Sequence, residues 1–300
     1  MSAATATRVD LVIETDAHEG PVHVAAEDAL YFTTVPRPRP GGPRVDIRRL
    51  ELGTRRLSTV RADANAANGM TLAPDGRLVV CEQGSRTASA AITLVDRASG
   101  RTETLVDRWR GRPLNSPNDV VVKGDGTVWF TDPSYGALQG FRPPPSLGDS
   151  VYRYDPATGD LAVVTDDLDK PNGLAFSPDE RTLYVGDSGA IHGPGDYDAG
   201  RPRAVLAFDV TGDGALVAPR TLHRAVPGFP DGIKVDTAGR VYVSCDRGVQ
   251  VVAPSGGLIG EIAVPGGAVN FTFGPEQNLL LITADDAIWA AHLDTTRPRP

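Results

Sequence analysis

The chain predicts an all-β fold, a six-bladed β-propeller, on three observations. One pattern recurs six times along 300 residues, each recurrence holds about four short apolar runs, and helical periodicity is essentially absent. The recurrences begin at Glu19, Asn68, Asn118, Asn172, Asp231 and Asn270, at spacings of 49, 50, 54, 59 and 39 residues. Each opens on a polar residue, usually followed by Gly. An apolar run, a turn such as PDG, GDG, PDE or TAG, and a second β-branched or aromatic run follow. Runs of that length bounded by Gly, Pro and Asp read as strands joined by tight hairpins. Third strands follow at 91–97, 151–156, 204–210 and 248–254. Four strands per unit at this period is the propeller signature; a two-sheet sandwich gives no reason for six equivalent starts.

The elements fall into place in chain order. RVDLVIET at 8–15 precedes the first unit and has no blade of its own, whereas the last unit shows only three strands, VNFTF, NLLLIT and AIWAAHL. The early segment is therefore predicted to complete the last blade, closing the ring and leaving no long sheet edge unpaired. The chain is thus a single domain over 1–300, with 1–7 and 295–300 expected to be flexible. The run at 36–56 holds seven arginines with acids interspersed and reads as an exposed loop and hairpin of the first blade. Cys81 and Cys245 occupy similar positions in units two and five, on opposite sides of a six-fold ring. A disulfide needs Cα atoms within about 7 Å, so two free thiols are predicted.

Composition narrows the function. Hydrophobic residues at 40% and charged residues at 23% are ordinary globular usage. A net charge of −8 disfavours nucleic acid or an anionic membrane as partner. No run of about 18 apolar residues spans a membrane, and MSAATATRVD lacks the basic and apolar regions of a signal peptide. A cytoplasmic protein is expected, a monomer or weak oligomer acting on a small molecule.

In a propeller the first strand of each blade lines the central channel, so equivalent residues on the six first strands converge. Here they are Glu19, Asn68, Asn118, Asn172, Asp231 and Asn270: two carboxylates and four amides. Hard oxygen donors of this kind suit Ca²⁺, and less often Mg²⁺ or Mn²⁺. Without a cation the two acids would repel each other, and one would tend to keep its proton. Asn or Asp before Gly is also a common turn former, the competing explanation at any single position. Two long loops, 135–150 and 188–203, are predicted to wall the channel mouth; Tyr135 and His192 on them, and Asp187 at the end of a strand, are candidate substrate contacts, as is Asn68 in the ring. No G-x-S-x-G elbow occurs, which disfavours a serine hydrolase.

The stretches HEGPV at 18–22, LNSPNDVVVKGDGTVWFTDPSYG at 114–136, KPNGLAFSPDERTLYVGDS at 170–188 and FPDGIKVDTAGRVYVS at 229–244 resemble the senescence marker protein/gluconolactonase/luciferin-regenerating enzyme family. The likeness covers about residues 18–290 and is greatest to the bacterial gluconolactonase branch. It implies one divalent cation, Ca²⁺ first, with Zn²⁺, Mn²⁺ or Mg²⁺ as alternatives, held by Glu19, Asn172 and Asp231. It also implies that Asn118 faces the metal or the substrate; the matching asparagine of the related diisopropylfluorophosphatase is a direct ligand. Asp231 would be the catalytic base or nucleophile of a lactonase opening a sugar lactone such as gluconolactone. Either Asp231 takes the proton of the attacking water, or it only positions a water that the cation activates. Asp119, beside Asn118, is placed to orient the ligands from behind or to hold backbone amides. The chain departs from the family at His23, where an aromatic is common, and at Ser116, where animal members carry a sugar-contacting arginine. Ser116 is therefore a further candidate for the substrate side. Two alternatives stand beside the lactonase: a metal-dependent enzyme for another electrophile, phosphotriester-like or a specialised metabolite, and a non-enzymatic propeller binding a partner on its rim.

Overall fold

A computed structural model of the chain describes residues 6–293. Six four-stranded antiparallel sheets stand around one axis, each built from four strands that are neighbours in sequence, except the last. Their inner strands are Val22–Val24, Ala67–Leu72, Val120–Val122, Pro171–Phe176, Ile233–Val235 and Asn270–Phe273. Each inner strand packs against those of its two neighbours, and the last returns to the first. The predicted closure is present. Ala6–Ala17 pairs antiparallel with Asp285–Leu293 and is the outer strand of the sixth blade, with three register shifts along its length. This strand begins at Ala6, within the stretch expected to be flexible: Ala6 pairs with Leu293, and Thr7 Oγ1 donates to His292 O at 3.2 Å. Residues 1–5 and the 295–300 tail lie outside the described residues.

Local chemistry explains each blade. In the tight turns an Asp side chain accepts the amide two residues on: Asp75 from Arg77 at 3.0 Å, Asp125 from Thr127 at 2.9 Å, Asp236 from Ala238 at 2.9 Å. The glycine that follows in these turns sits at φ near +80 to +88°, which a side chain disfavours. Second strands such as VWFTD and VYVSC are buried on both faces, because each sheet is covered by the blades on either side. The core is therefore a set of clusters between adjacent blades: Tyr31, Ile47, Met70 and Val80 between the first two, and Trp129, Leu174, Val185 and Phe208 between the third and fourth. A cluster of Leu30, Phe32, Leu281 and Ile288 joins the sixth to the first. Cys81 and Cys245 are buried free thiols, as predicted. Six of the seven arginines of 36–56 lie beside carboxylates, as fits an exposed hairpin. Four small elements were not foreseen: a hairpin of Arg108–Trp109 with Arg112–Pro113, a one-turn helix at Tyr135–Leu138, and single 3-10 turns at Ala25–Glu27 and Pro275–Gln277.

The glycines after the opening residues have a different cause from the turn-forming one considered above. A Cβ on Gly20 would meet Asn68 O at 2.7 Å, and one on Gly69 would meet Asn118 O at 2.5 Å. A Cβ on Gly173 would overlap Asp231 O, and one on Gly232 the side chain of Asn270. Each of these glycines is thus the surface on which the next blade's opening residue rests. Backbone and hydroxyl hydrogen bonds reinforce the same contacts: Gly69 N–H to Asn118 O at 2.8 Å, Gly232 N–H to Val269 O at 3.2 Å. Ser244 Oγ donates to Val269 O and Thr283 Oγ1 to His18 O, both at 2.6 Å. Gly173→Ala is expected to lower stability by about 1–3 kcal/mol in urea denaturation, through overpacking against backbone. Gly212→Ala, where a Cβ would meet nothing, should stay within about 0.5 kcal/mol of the parent. Equal midpoints for the two variants would contradict this reading of the glycines.

Candidate active site

The six opening residues meet at the axis. Glu19, 3% exposed, accepts the Asn270 Nδ2–H at 2.7 Å and the Gly20 N–H at 3.1 Å, both on Oε2. Asn270 is itself oriented, because its Oδ1 accepts the Phe271 N–H at 2.8 Å. Asn68 turns its amide to the backbone, donating to Asn118 O at 3.0 Å. The side chains of Asn172 and Glu19 both reach the Asp231 carboxyl. Asn118 Oδ1 is buried with no hydrogen-bond partner. Behind this group lies Asp119. Its Oδ1 accepts the Val120 N–H at 2.9 Å, and its Oδ2, without a hydrogen bond, stands 3.9 Å from the Lys234 ammonium.

Three carboxyls in one buried channel perturb one another. Burial, and then the charges of Asp231 and Asp119, push the Glu19 carboxyl well above its usual range. Burial raises Asp231 to about 7, against the hydrogen bond from Asn172 and with the charge of Asp119 adding to the rise. Asp119 is also raised by burial, with Lys234 opposing. Such a site takes up either protons or a cation. Among the described residues no three His, Cys, Asp or Glu side chains close around a point, so a cation would need the asparagines as well. The orphaned Asn118 Oδ1 and the supply of oxygen acceptors from carboxyl and amide side chains fit a hard divalent ion.

The two mouth loops are held by side chains that the sequence suggested for other work. The Ser116 hydroxyl donates to Pro133 O at 2.6 Å and accepts the Gly136 N–H at 2.9 Å. Asp187 accepts the amides of Lys170 at 3.0 Å and Asp169 at 3.1 Å. Asp132 does the same for Asn115 and Ser116, both at 2.8 Å, from the equivalent end of the third blade's second strand. His192 lies between Asp169 and Asp196, at 3.8 and 3.7 Å. Tyr135, in contrast, is brought to the ring: its buried phenol borders Asn172, Ser188 and the Asp231 charge. The sequence placed Asn270 in the ring without its role of holding Glu19, and passed over Lys234 and Asp132; the aligned strand ends of Asp132 and Asp187 were the available signal for the last.

The molecule is thus a closed six-bladed propeller that gathers oxygen side chains on its axis. The chain belongs to the SMP-30/Gluconolactonase/LRE-like family, whose pattern it matches over residues 17–286. It is 34% identical over 239 residues to the gluconolactonase of Zymomonas mobilis, covering 73% of this chain and 60% of that protein's length. A solved gluconolactonase of Xanthomonas campestris superposes with a TM-score of 0.81 at 34% identity, over 98% of this chain and 95% of that one. Regucalcin of Agrobacterium tumefaciens, described as calcium-binding, shares the fold at a TM-score of 0.74 and 18% identity, over 100% and 98% of the two chains.

Because Glu19 and Asp231 hold protons to higher pH when folded, the folded chain binds more protons than the unfolded one between the usual carboxyl range and about 7. Their contribution to stability is present at low pH and is lost as pH rises through that window. With divalent ions chelated, the thermal midpoint of the wild type relative to Asp231→Asn is expected to fall between pH 5 and pH 7.5. A difference that is flat or rising over that range would contradict the placement of these acids.

Proposed function

We propose that the protein is a hydrolase opening a small lactone of the sugar-lactone class, with one divalent cation held by Glu19, Asn118, Asn172 and Asp231. The observation that carries the reading is the convergence of two destabilised carboxyls, Glu19 and Asp231, with the unpartnered Asn118 Oδ1 on the axis. Similarity to two gluconolactonases at 34% identity supports the reaction, and the calcium-binding regucalcin supports a cation of that class. The donors are all oxygens, which favours Ca²⁺ over softer ions.

When bound, the cation supplies Lewis-acid polarisation of an ester carbonyl and balances the acids. The residues do the rest. Asp231, oriented by Asn172, accepts the proton of a water aimed at the carbonyl carbon. That proton then goes to the ring oxygen as the C–O bond breaks, leaving a hydroxy acid. Asn270 and the Gly20 N–H both hold Glu19 by the same oxygen, Oε2.

Glucono-δ-lactone opening followed by pH-stat tests the reading. Chelation with EDTA should abolish turnover, and Ca²⁺, Mn²⁺ or Zn²⁺ should restore it. Asp231→Asn should cost roughly 10²–10⁴-fold in kcat with the fold intact. Glu19→Gln should weaken cation binding in calorimetry by at least tenfold, about the least that even an outer-shell loss costs. Wild-type protein inert toward a panel of aldonolactones in every metal would instead favour a different electrophile or a non-enzymatic role.

A further inference from the structure

The Tyr135 hydroxyl has no hydrogen-bond partner although the residue is only 6% exposed. Other unpartnered atoms at the axis, Asn118 Oδ1 and Asp119 Oδ2, are acceptors, and a cation answers acceptors. It does not answer an O–H. The neighbours do not answer it either. Ser188 and Asn172 stand near the phenol, but neither completes a hydrogen bond with it. A buried donor left open in this way is unfavourable, so its position calls for an acceptor that arrives with a ligand.

The turn carrying this phenol is locked from behind. Ser116 grips both Pro133 O and Gly136 N. Gly136 has no room for a Cβ, which would run into the side chain of Arg142. Arg142, 8% exposed, donates to four carbonyls: Asn115 and Leu114 at 2.9 Å, Ser85 at 2.9 Å and Ala88 at 2.8 Å. That clamp ties the 135–150 loop to the second and third blades. A donor held this rigidly beside the water-activating carboxyl of Asp231 is preorganised for charge that develops during a reaction.

We propose that Tyr135 is a catalytic residue whose phenolic O–H donates a hydrogen bond to the ester carbonyl oxygen as that oxygen becomes anionic. The assignment rests on the lactonase reading above. As water oxygen bonds to the carbonyl carbon, the carbonyl π pair moves onto this oxygen and the water proton passes to Asp231. On collapse the pair returns, the ring C–O bond breaks, and the ring oxygen takes the proton from Asp231. Tyr135 keeps its own proton throughout.

Tyr135→Phe deletes the hydroxyl and keeps the ring. With glucono-δ-lactone and saturating Ca²⁺, kcat is expected to fall roughly 10²–10³-fold, as for loss of one oxyanion donor, with KM changed less than threefold. Cation affinity in calorimetry should be unchanged. The thermal midpoint, with and without Ca²⁺, should be no lower than that of the wild type, because the deleted group has no partner in the fold. A kcat within threefold of the wild type would assign the hydroxyl to bound water alone. A fallen midpoint or a failure to fold would make the role structural. Either result overturns the proposal while leaving the lactonase reading in place. A wild type that opens no lactone removes that reading, and this assignment with it.

Discussion

The closeness of adjacent inner strands governs this molecule. At Gly20, Gly69, Gly173 and Gly232 the backbone or side chain of the next blade's opening residue occupies the space a Cβ would need. That contact sets the height of each opening residue along the axis, so six polar side chains separated by 39–59 residues in the chain arrive at one level. The two blades without the glycine show what the rule permits. Phe271 goes fully into the core between blades, and Asp119 places a third carboxyl behind the ring. The packing rule and the polar site are thus one feature seen from two sides.

Burying carboxyls is unfavourable unless something compensates the charge. The structure compensates unevenly. Asp119 has the Lys234 ammonium and a backbone amide. Glu19 has one amide side chain and its neighbour's N–H on a single oxygen. Asp231 has Asn172 and the Glu19 carboxyl itself, an interaction that requires one of the two to carry a proton. Stability and function therefore pull in opposite directions at the axis, as is usual where a site is preorganised for a ligand.

Much of this was legible in the sequence because it is periodic. Six repeats imply six blades, a three-stranded remainder implies that residues 8–15 close the ring, and matched opening residues imply a polar ring. What was not legible depends on where single side-chain atoms point. Ser116, Asp187 and His192 were reasonable candidates by position. The Ser116 hydroxyl and both Asp187 oxygens are engaged with backbone, and His192 sits between two aspartates. Asn68 and Asn270 look alike in the repeat, yet one amide faces a backbone carbonyl and the other holds Glu19. Lys234 matters only because the fifth blade's inner strand brings it opposite Asp119, a pairing across 115 positions that no local pattern encodes.

Charge counting connects these points to selectivity. With Asp119 matched by Lys234, the charge at the axis once Glu19 and Asp231 release the proton they share is that of these two carboxylates, which one divalent ion would neutralise. A neutral ester would then enter without electrostatic penalty, whereas a site with two surplus negative charges would repel the carboxylate formed from it. Replacing Lys234 by a neutral residue would restore a third charge behind the ring and shift the balance toward repulsion of that product. On the proposed reading the lysine would let a single cation suffice, although it lies behind the residues proposed to hold that cation.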